Sequence, residues 1–386
     1  MNKILFIICF FVLFCCASCV NRGADCLVIH VDNSNIEDRL FAGEYLDTCY
    51  YDLIQLKNTP MPIGEITKVK FIDDKIFVFD EITQSISVFK ENGDLLLYLS
   101  KQGKARNEYV EITDFSYSND CIYIYDNTYN RISVYDLKGE FKKIIDTSGY
   151  WANTIFLIDD DIHMINEYSE TENGNYLIFK VDQNGDLLER FLPFDKTVRQ
   201  SSDEYCCNVG NDYFYGQQPD NIIYRIDTAG CEKVFRIDFG MDNMPEEYWK
   251  LDDREMMLKG IHKKYVSGIS RLYSSTDHMF VYYQDKDLDE NLIVIDMKNN
   301  EVEHVCKGLS FDDFPFYTPL LHPVINGEYL YSTIDHDRFG DLAEYLIKFP
   351  KDEFSKGYIK DIKTLYDLYE ENINPVIVKL RMKGKS

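Results

Sequence analysis

Two stretches that lie 46 residues apart decide the fold, Ile76-Phe77-Val78-Phe79-Asp80 and Ile122-Tyr123-Ile124-Tyr125-Asp126. At the same offset Ile86-Ser87-Val88-Phe89 aligns with Ile132-Ser133-Val134-Tyr135, and Gly93 aligns with Gly139. Alternating β-branched and aromatic residues favour strands, whereas Asp, Asn and Gly favour the tight turns between strands. Each unit therefore predicts an antiparallel meander of strand, acidic turn, strand, glycine turn and strand.

Weaker copies of this unit continue along the chain, each marked by an aspartate after an apolar strand. The markers Asp136, Asp182, Asp227 and Asp296 follow one another at steps of 46, 45 and 69 residues, and a last copy lies at 347–349. A period of about 45 residues with three or four strands is typical of a β-propeller blade. The sequence therefore predicts an all-β chain, folded as one six-bladed β-propeller over residues 27–382.

The long step of 69 residues indicates an insertion, which we place at about 241–264 and expect to be helical. Pro245, Glu246 and Glu247 suit a helix start. Near-helical spacing of apolar residues supports the same prediction at Tyr248, Leu251, Leu258, Ile261 and Tyr265.

The two ends of the chain are expected to close the ring, as propellers commonly do by completing one blade from both termini. A C-terminal helix is predicted from Ile362, Leu365, Tyr366 and Tyr369, and the strand after Asn374-Pro375 follows it. Two N-terminal stretches are candidates to pair with that strand, Leu27–Val31 and Tyr51–Leu56.

The first residues differ from the rest of the chain. Lys3 is followed by an apolar run, Ile4–Phe14, which is too short to span a bilayer and suits the core of a signal peptide. Ala17 and Ser18 precede Cys19, a pattern that resembles the lipobox of bacterial lipoproteins. That resemblance implies a signal peptide at 1–18, a lipidated Cys19, a tether at 19–26 and attachment to the outer membrane. Residues Val20–Asp25 lack the acidic cluster that often follows the cysteine in surface-exported lipoproteins, which favours the periplasmic face. Ordinary secretion with cleavage nearby is the alternative.

The charge and the cysteines limit the partners and the chemistry. With 41 Lys+Arg against 66 Asp+Glu the formal net charge is -25, and no long basic cluster offers a nucleic-acid surface. Seven cysteines would remain after cleavage and lipidation, and none has the spacing of a zinc or thioredoxin-like motif. We expect most of these to be buried thiols, and we expect no cofactor.

The chain resembles the six-bladed β-propeller lipoproteins of unknown function of gut-type anaerobic bacteria. The resemblance rests on Gly64-Glu65-Ile66, Val88-Phe89 with Asn92-Gly93, the loop Gly103 to Tyr109 and Asn374-Pro375-Val376-Ile377-Val378. It implies the fold and the lipid anchor, and no reaction.

Three constellations could carry chemistry. Asp285, Asp287 and Asp289 alternate as in a calcium loop, but the sixth position is Glu290 rather than glycine, which favours a solvated hairpin. Asp335-His336-Asp337-Arg338, with His322 upstream, could supply an acid, a base or a metal ligand, although a surface turn is favoured. His163 and His304 lie in apparent strands and are expected to be structural.

The third constellation is an island of positive charge on an acidic protein. It comprises Lys101, Lys104, Arg106, Glu108 and Tyr109, which are the candidate ligand-binding residues. The cations could receive a carboxylate, a phosphate or an acidic sugar, whereas Glu108 and Tyr109 could instead brace the next blade.

Two functions remain open. The absence of hydrolase, zinc-protease and nucleotide-binding motifs favours a non-enzymatic module that docks an envelope protein, peptide or glycan. The alternative is a calcium-dependent hydrolase or lactonase-like enzyme at the channel mouth, which would need several converging acidic or amide side chains.

Overall fold

The computed structural model describes residues 26–195, 206–217, 219–311, 321–334 and 374–384. Strands dominate these residues, because the alternating apolar segments pair into six sheets that each contain four antiparallel strands. The sheets are the six blades of a β-propeller, which confirms the fold class predicted from the repeat. The predicted helix around 362–369 lies outside the described residues.

The N-terminal strands are β1 (Leu27–His30), β2 (Leu40–Phe41) and β3 (Leu46–Gln55). Blade 1 contains β4 (Ile66–Ile72), β5 (Lys75–Asp80), β6 (Ser85–Lys90) and β7 (Leu95–Leu99). Blade 2 contains β8 (Asp114–Ser118), β9 (Cys121–Asp126), β10 (Arg131–Asp136) and β11 (Phe141–Asp146). Blade 3 contains β12 (Thr154–Ile158), β13 (Asp161–Ile165), β14 (Tyr176–Val181) and β15 (Leu187–Pro193).

Blade 4 contains β16 (Cys206–Val209), β17 (Asp212–Gln217), β18 (Ile222–Asp227) and β19 (Gly230–Asp238). Blade 5 contains β20 (Gly268–Ser274), β21 (His278–Gln284), β22 (Glu290–Asp296) and β23 (Glu301–Cys306), and the short β24 (Leu309–Ser310) follows and pairs with β2. Blade 6 contains β25 (Leu321–Asn326), β26 (Tyr329–Ile334) and β27 (Val376–Met382), with β3 as its fourth strand.

The repeated aspartates explain why the unit recurs. Asp80 is buried, and its carboxylate accepts hydrogen bonds from the backbone of Gly64 at 2.9 Å and of Ile82 at 3.0 Å. Asp126 does the same for Val110 at 2.8 Å and Thr128 at 3.0 Å. Each carboxylate thus ties the turn between the second and third strands to the loop that leads into its blade. We call the face that carries these loops and turns the joining face.

Of the two candidate N-terminal stretches, Tyr51–Leu56 pairs with the C-terminal strand and closes the ring as predicted, whereas Leu27–Val31 does not. In β3, Leu53 pairs with Val378 of the C-terminal strand. Leu27–Val31 was the wrong candidate: β1 pairs in parallel with β19, and Ile29 packs into the core shared by blades 4 and 5. The outer position of blade 6 is filled by the ten-residue β3, so the other N-terminal strand adds to the edge of blade 4.

The seam between blades 6 and 1 is held by three kinds of contact. Phe71 stacks on Tyr331 with ring centroids 3.7 Å apart. The ammonium of Lys379 forms an ion pair with Glu91 and lies 4.0 Å from the ring centroid of Tyr329. The Lys379 side chain is buried against the rings, whereas Glu91 is 56% exposed, so the contact of the ammonium with the aromatic rings contributes to the closed ring and the ion pair adds little.

Asn374 completes the seam. Its buried carboxamide accepts a hydrogen bond from the backbone of Ile63 at 2.9 Å and donates to Leu56 O at 3.1 Å and to Thr59 Oγ1 at 2.7 Å. We expect Asn374→Ala to lower the free energy of unfolding by about 2–3 kcal/mol, because buried backbone groups lose their partners. Urea denaturation would measure the loss, and Asn92→Ala in an exposed turn is the control. Equal losses in the two variants would contradict the role of Asn374.

The insertion is helical over a shorter length than predicted. It contains 3₁₀ turns and one α-helix, α1 (Asp253–Lys259), and Asp252 caps that helix by accepting from the backbone of Glu255 at 2.8 Å. Pro245 precedes a 3₁₀ turn and does not start α1. Leu258 is 78% exposed, because the short helix turns Met256 inward instead. The 3₁₀ turns elsewhere span Asn33–Asn35 and Ala42–Glu44.

Candidate functional site

The predicted basic loop lies on the joining face, between the last strand of blade 1 and the first strand of blade 2. Tyr109 is fully buried at its base. The tyrosine hydroxyl accepts from the backbone of Lys101 at 3.0 Å and donates to Gln84 O at 2.8 Å. Because the phenol links the two ends of the loop to a turn of blade 1, the loop has one fixed position.

Further contacts fix the tip of the loop to blade 2. The Glu108 carboxylate accepts from the backbone of Ala105 at 2.8 Å, which closes the tip on itself. Arg131 donates to Glu108 O at 2.6 Å, and the Tyr135 hydroxyl donates to Asn107 O at 2.9 Å. The structure therefore places Glu108 and Tyr109 inside the loop, where they hold its shape.

The three cations of the same loop point outward. Lys101, Lys104 and Arg106 are exposed, and their charged groups enter no ion pair within the described part of the chain. An acidic protein thus presents three positive charges on a rigid loop. Such an arrangement can bind an anionic group without paying to order the loop backbone.

The alternating aspartates form a hairpin turn. Asp285 Oδ1 accepts from the backbone of Asp287 at 2.9 Å and of Asp289 at 3.0 Å, and Asp285 Oδ2 accepts from Asn291 at 2.9 Å. The carboxylate is therefore saturated by the turn itself. Across the described residues, no group of three or more His, Cys, Asp or Glu side chains could hold a metal ion.

Of the four histidines singled out in the sequence, the structure describes the side chains of His163 and His304. His163 is buried in β13 and stacks on Phe156 with ring centroids 5.0 Å apart, and burial lowers the pKa of His163 to about 4. His304 lies in β23 and pairs with Glu37 at 2.9 Å, so both occupy the strands expected of them. Asp335-His336-Asp337-Arg338 and the side chain of His322 lie outside the described residues.

A second constellation lies in the central channel, whose walls are the first strands of the six blades. The channel encloses about 540 Å³ between the joining face and the opposite face. Lys68 Nζ lies 2.8 Å from Asp114 Oδ1, and Lys70 Nζ lies 3.4 Å from the same oxygen. Lys70 also donates to Phe115 O. Two lysines from β4 therefore converge on one aspartate from β8.

Burial sets the protonation of this cluster. Asp114 is fully buried, and burial alone would raise its pKa, but the charges of Lys68 and Lys70 outweigh that effect and hold the pKa below its usual range. Burial lowers the pKa of Lys70 to about 8, against the opposing effect of Asp114. Cys206 faces the cluster from β16, and burial raises the pKa of its thiol to about 12, so the thiol stays protonated at neutral pH.

This cluster was not predicted from the sequence, although the repeat contains a signal for it. Lys68 and Asp114 are 46 residues apart, so they occupy equivalent positions in neighbouring blades, and the equivalent of Lys70 is Ser116. Opposite charges at equivalent positions in the first strands of two neighbouring blades indicate an ion pair between those strands, across the channel wall. Alternate residues of a strand share a face, which places Lys70 beside Lys68.

The described cysteines form no disulfide. Cys306 is buried, whereas Cys26, Cys121, Cys206, Cys207 and Cys231 are partly buried. The expectation that most of them are buried thiols is therefore met by Cys306 alone among these six, although free thiols in partly buried positions also pack as small apolar groups.

The fold and the channel together define a six-bladed β-propeller with a charged central channel. The chain belongs to the family described as Domain of unknown function (DUF4934), which matches residues 57–381. No curated protein matches the sequence. No helix in the described part of the chain is long and apolar enough to cross a membrane.

Solved structures share the fold at low sequence identity. A presumed exported protein of Bacteroides fragilis NCTC 9343 is similar with a TM-score of 0.70 and 14% identity, over 92% of this chain and 100% of that one. A member of the DUF4221 family from Bacteroides vulgatus ATCC 8482 has a TM-score of 0.48 and 12% identity, over 86% and 96% of the two chains. The first of these likenesses supports the propeller fold alone.

Proposed function

We propose that the protein is a cell-envelope lipoprotein that acts as a non-enzymatic docking module for a protein, peptide or glycan partner. The observation that carries this proposal is the rigid basic loop on the joining face. A chain with a net charge of -25 repels acidic partners overall, so a fixed site with three outward cations selects where such a partner can bind.

The lipid anchor is part of the proposal. The apolar run Ile4–Phe14 and the small residues before Cys19 support cleavage and acylation at Cys19. Six residues lie between Cys19 and Cys26, where the described chain begins, and the seven Cα–Cα steps of that segment span about 24 Å when fully extended. The anchor would therefore hold the propeller close to the periplasmic face of the outer membrane.

The partner's chemistry follows from the donors. Lysine and arginine donate hydrogen bonds and accept none, so the loop suits carboxylates, phosphates or acidic sugars displayed on a partner surface. Within the described residues no observation favours the calcium-dependent enzyme, because no metal-binding cluster is present there. We therefore advance the docking function alone.

The test is affinity capture of the lipidated protein from its own envelope in detergent. We expect one envelope component to be recovered by the wild-type protein, with recovery at least tenfold lower for a Lys101→Gln, Lys104→Gln, Arg106→Gln variant. The matched control replaces three exposed lysines of the insertion, Lys259, Lys263 and Lys264, by glutamine. It removes the same number of positive charges as the loop variant does. Raising NaCl from 0.1 M to 0.5 M should release the component, because the Debye length falls below about 5 Å.

A Cys19→Ala variant separates docking from anchoring. The anchorless protein should leave the membrane fraction and still bind the component. Equal recovery by the loop variant and the wild-type protein would count against the basic loop as the docking site, and membrane retention of the Cys19→Ala variant would count against the lipid anchor.

A further inference from the structure

We propose that the central channel is a separate binding site for a small organic anion, whose oxyanion group lies against Lys68 and Lys70. This site is independent of partner docking at the basic loop. It faces the channel axis, whereas the loop lies outside the channel on the joining face.

The channel has the size and lining of a small-molecule site. A volume of about 540 Å³ lies within the range of about 300–1,000 Å³ that ligand pockets occupy. Aromatic side chains such as Tyr117, Phe156 and Tyr213 line it together with the amides of Asn153 and Asn208. An organic body can therefore contact rings and amides while its charged group meets the lysines.

Both carboxylate oxygens of Asp114 accept hydrogen bonds from other groups of the protein. Asp114 Oδ2 accepts from the backbone of Ile155 at 2.8 Å, and Asp114 Oδ1 accepts from the backbone of Phe115 at 2.7 Å as well as from Lys68. These bonds hold the carboxylate in the wall, where it lies fully buried. Asp114 therefore orients the two lysines and has no oxygen to turn toward a ligand.

The lysines keep donors to spare. Each ammonium carries three N–H bonds, and the contacts above use one from Lys68 and at most two from Lys70. The Lys68 and Lys70 side chains remain 30% and 22% exposed, toward the channel space. Two ammonium groups against one carboxylate leave one positive charge without a counter-ion in a confined space. A ligand anion supplies that counter-ion with charge-assisted hydrogen bonds.

The other acids of the channel lie away from the lysines along the wall. Asp73 and Asp159 are exposed residues of the turns at the face opposite the joining face, where water screens them. Glu167 follows β13 and lies at the joining face. The ionisable groups that face Lys70 are Lys68, Asp114 and Cys206.

This arrangement dictates a pH dependence. An anion binds the protonated amine, and Lys70 has a pKa of about 8 in the free protein, so affinity falls as the pH rises through that value. At pH 9.5 only about 3% of such an amine is protonated, so binding should be weaker than at pH 6.5 by up to about 30-fold. The bound anion in turn raises the pKa of Lys70.

The test uses protein labelled with ¹³C at the lysine ε-carbons, titrated with benzoate and with inorganic phosphate. We expect saturable shifts of the Lys68 and Lys70 signals with at least one probe. With benzoate, whose charge does not change over this pH range, we expect binding to be up to about 30-fold weaker at pH 9.5 than at pH 6.5 and the Lys70 pKa to be higher in the bound protein. Lys70→Gln should assign the signal and weaken binding at least tenfold. Lys142→Gln, which changes an ion-paired lysine on the outer strand of blade 2, should bind as the wild-type protein does.

Several results would overturn the proposal. They are no saturable shift of these signals with either probe up to 50 mM at pH 6.5, an affinity that does not change with pH, or unchanged affinity in Lys70→Gln. If Lys70→Gln does not fold, the pH profile of the wild-type protein decides. The loop variant with Lys101, Lys104 and Arg106 replaced should bind the probe normally, so a failure of partner docking and a failure of channel binding are distinguishable.

Discussion

Replacing Asp114 by alanine is expected to lower the free energy of unfolding by about 3–5 kcal/mol at pH 7, as removal of one partner from a buried ion pair does. The carboxylate is fully buried between Lys68 and Lys70, and the substitution leaves both ammonium groups in the channel wall without a counter-ion. It also removes the acceptor for the backbone of Ile155. Urea denaturation followed by circular dichroism would measure the difference.

The matched control is Asp74→Ala. Asp74 also pairs with a lysine, Lys75, at 2.7 Å, but its side chain is 80% exposed. Exposed pairs contribute about 0–1 kcal/mol, so the control should lose little. Similar losses in the two variants would show that burial does not strengthen the Asp114 cluster.

The contribution of Asp114 to the free energy of unfolding depends on pH in a direction that the pKa shifts define. The pKa of Asp114 is lower in the folded protein than in the unfolded chain, so its contribution is present above pH about 4 and declines as the pH falls toward the folded value. The advantage of the wild-type protein over Asp114→Ala should therefore shrink in acid. It should also shrink as the pH rises toward 8, because Lys70 loses its charge at a lower pH in the variant, where Asp114 no longer raises its pKa.

Gly93→Ala and Gly185→Ala are expected to cost about 3–4 kcal/mol each, far more than the same change at Gly139. The three glycines occupy the same turn of blades 1, 3 and 2, and all have positive φ, of 83°, 91° and 76° respectively. At Gly93 an added Cβ would overlap the carbonyl oxygen of Gln55, and at Gly185 that of Asp146, where the outer strand of the preceding blade ends. Backbone atoms at a blade junction cannot move aside without disturbing the packing of both blades.

Gly139→Ala measures the cost of the positive φ alone, without a clash against backbone atoms. Its added Cβ would lie 3.3 Å from the nearest atom, the Leu97 side chain, which can shift. The positive φ alone should cost about 1 kcal/mol. Thermal and urea denaturation of the three variants would give the comparison, and a Gly139→Ala loss as large as the other two would refute close packing at the junctions.

Much of the fold could be predicted from the sequence because each blade is built from local contacts. Asp80 and Asp126 recur because the same carboxylate caps the same turn, and the offset of 46 residues records that geometry directly. The pairing of Leu27–Val31 could not be predicted, since alternating apolar residues fit the edge of any blade. The length of α1 was overestimated because apolar residues of 3₁₀ turns share its spacing.

The two candidate sites differed in how visible they were. The basic loop stood out because its three cations lie within six residues of sequence and contrast with an acidic chain. The Lys68, Lys70 and Asp114 cluster spans two blades, so its members become neighbours only when equivalent strands are aligned. Which way the loop's Glu108 and Tyr109 point depends on contacts with Gln84, Arg131 and Tyr135, which no local pattern encodes.

The pairing of β3 with β27 also governs the order in which the molecule is made. Val378 meets Leu53 across more than 320 residues of chain, so the ring stays open until its final strand has been synthesised and delivered. Closing so long a loop costs conformational entropy, and that cost is offset only when the last strand pairs. Contacts between residues so far apart in sequence also slow folding. A chain that is still being synthesised therefore exposes the edges of both strands, and protection from aggregation must come from outside the molecule until the last blade is complete.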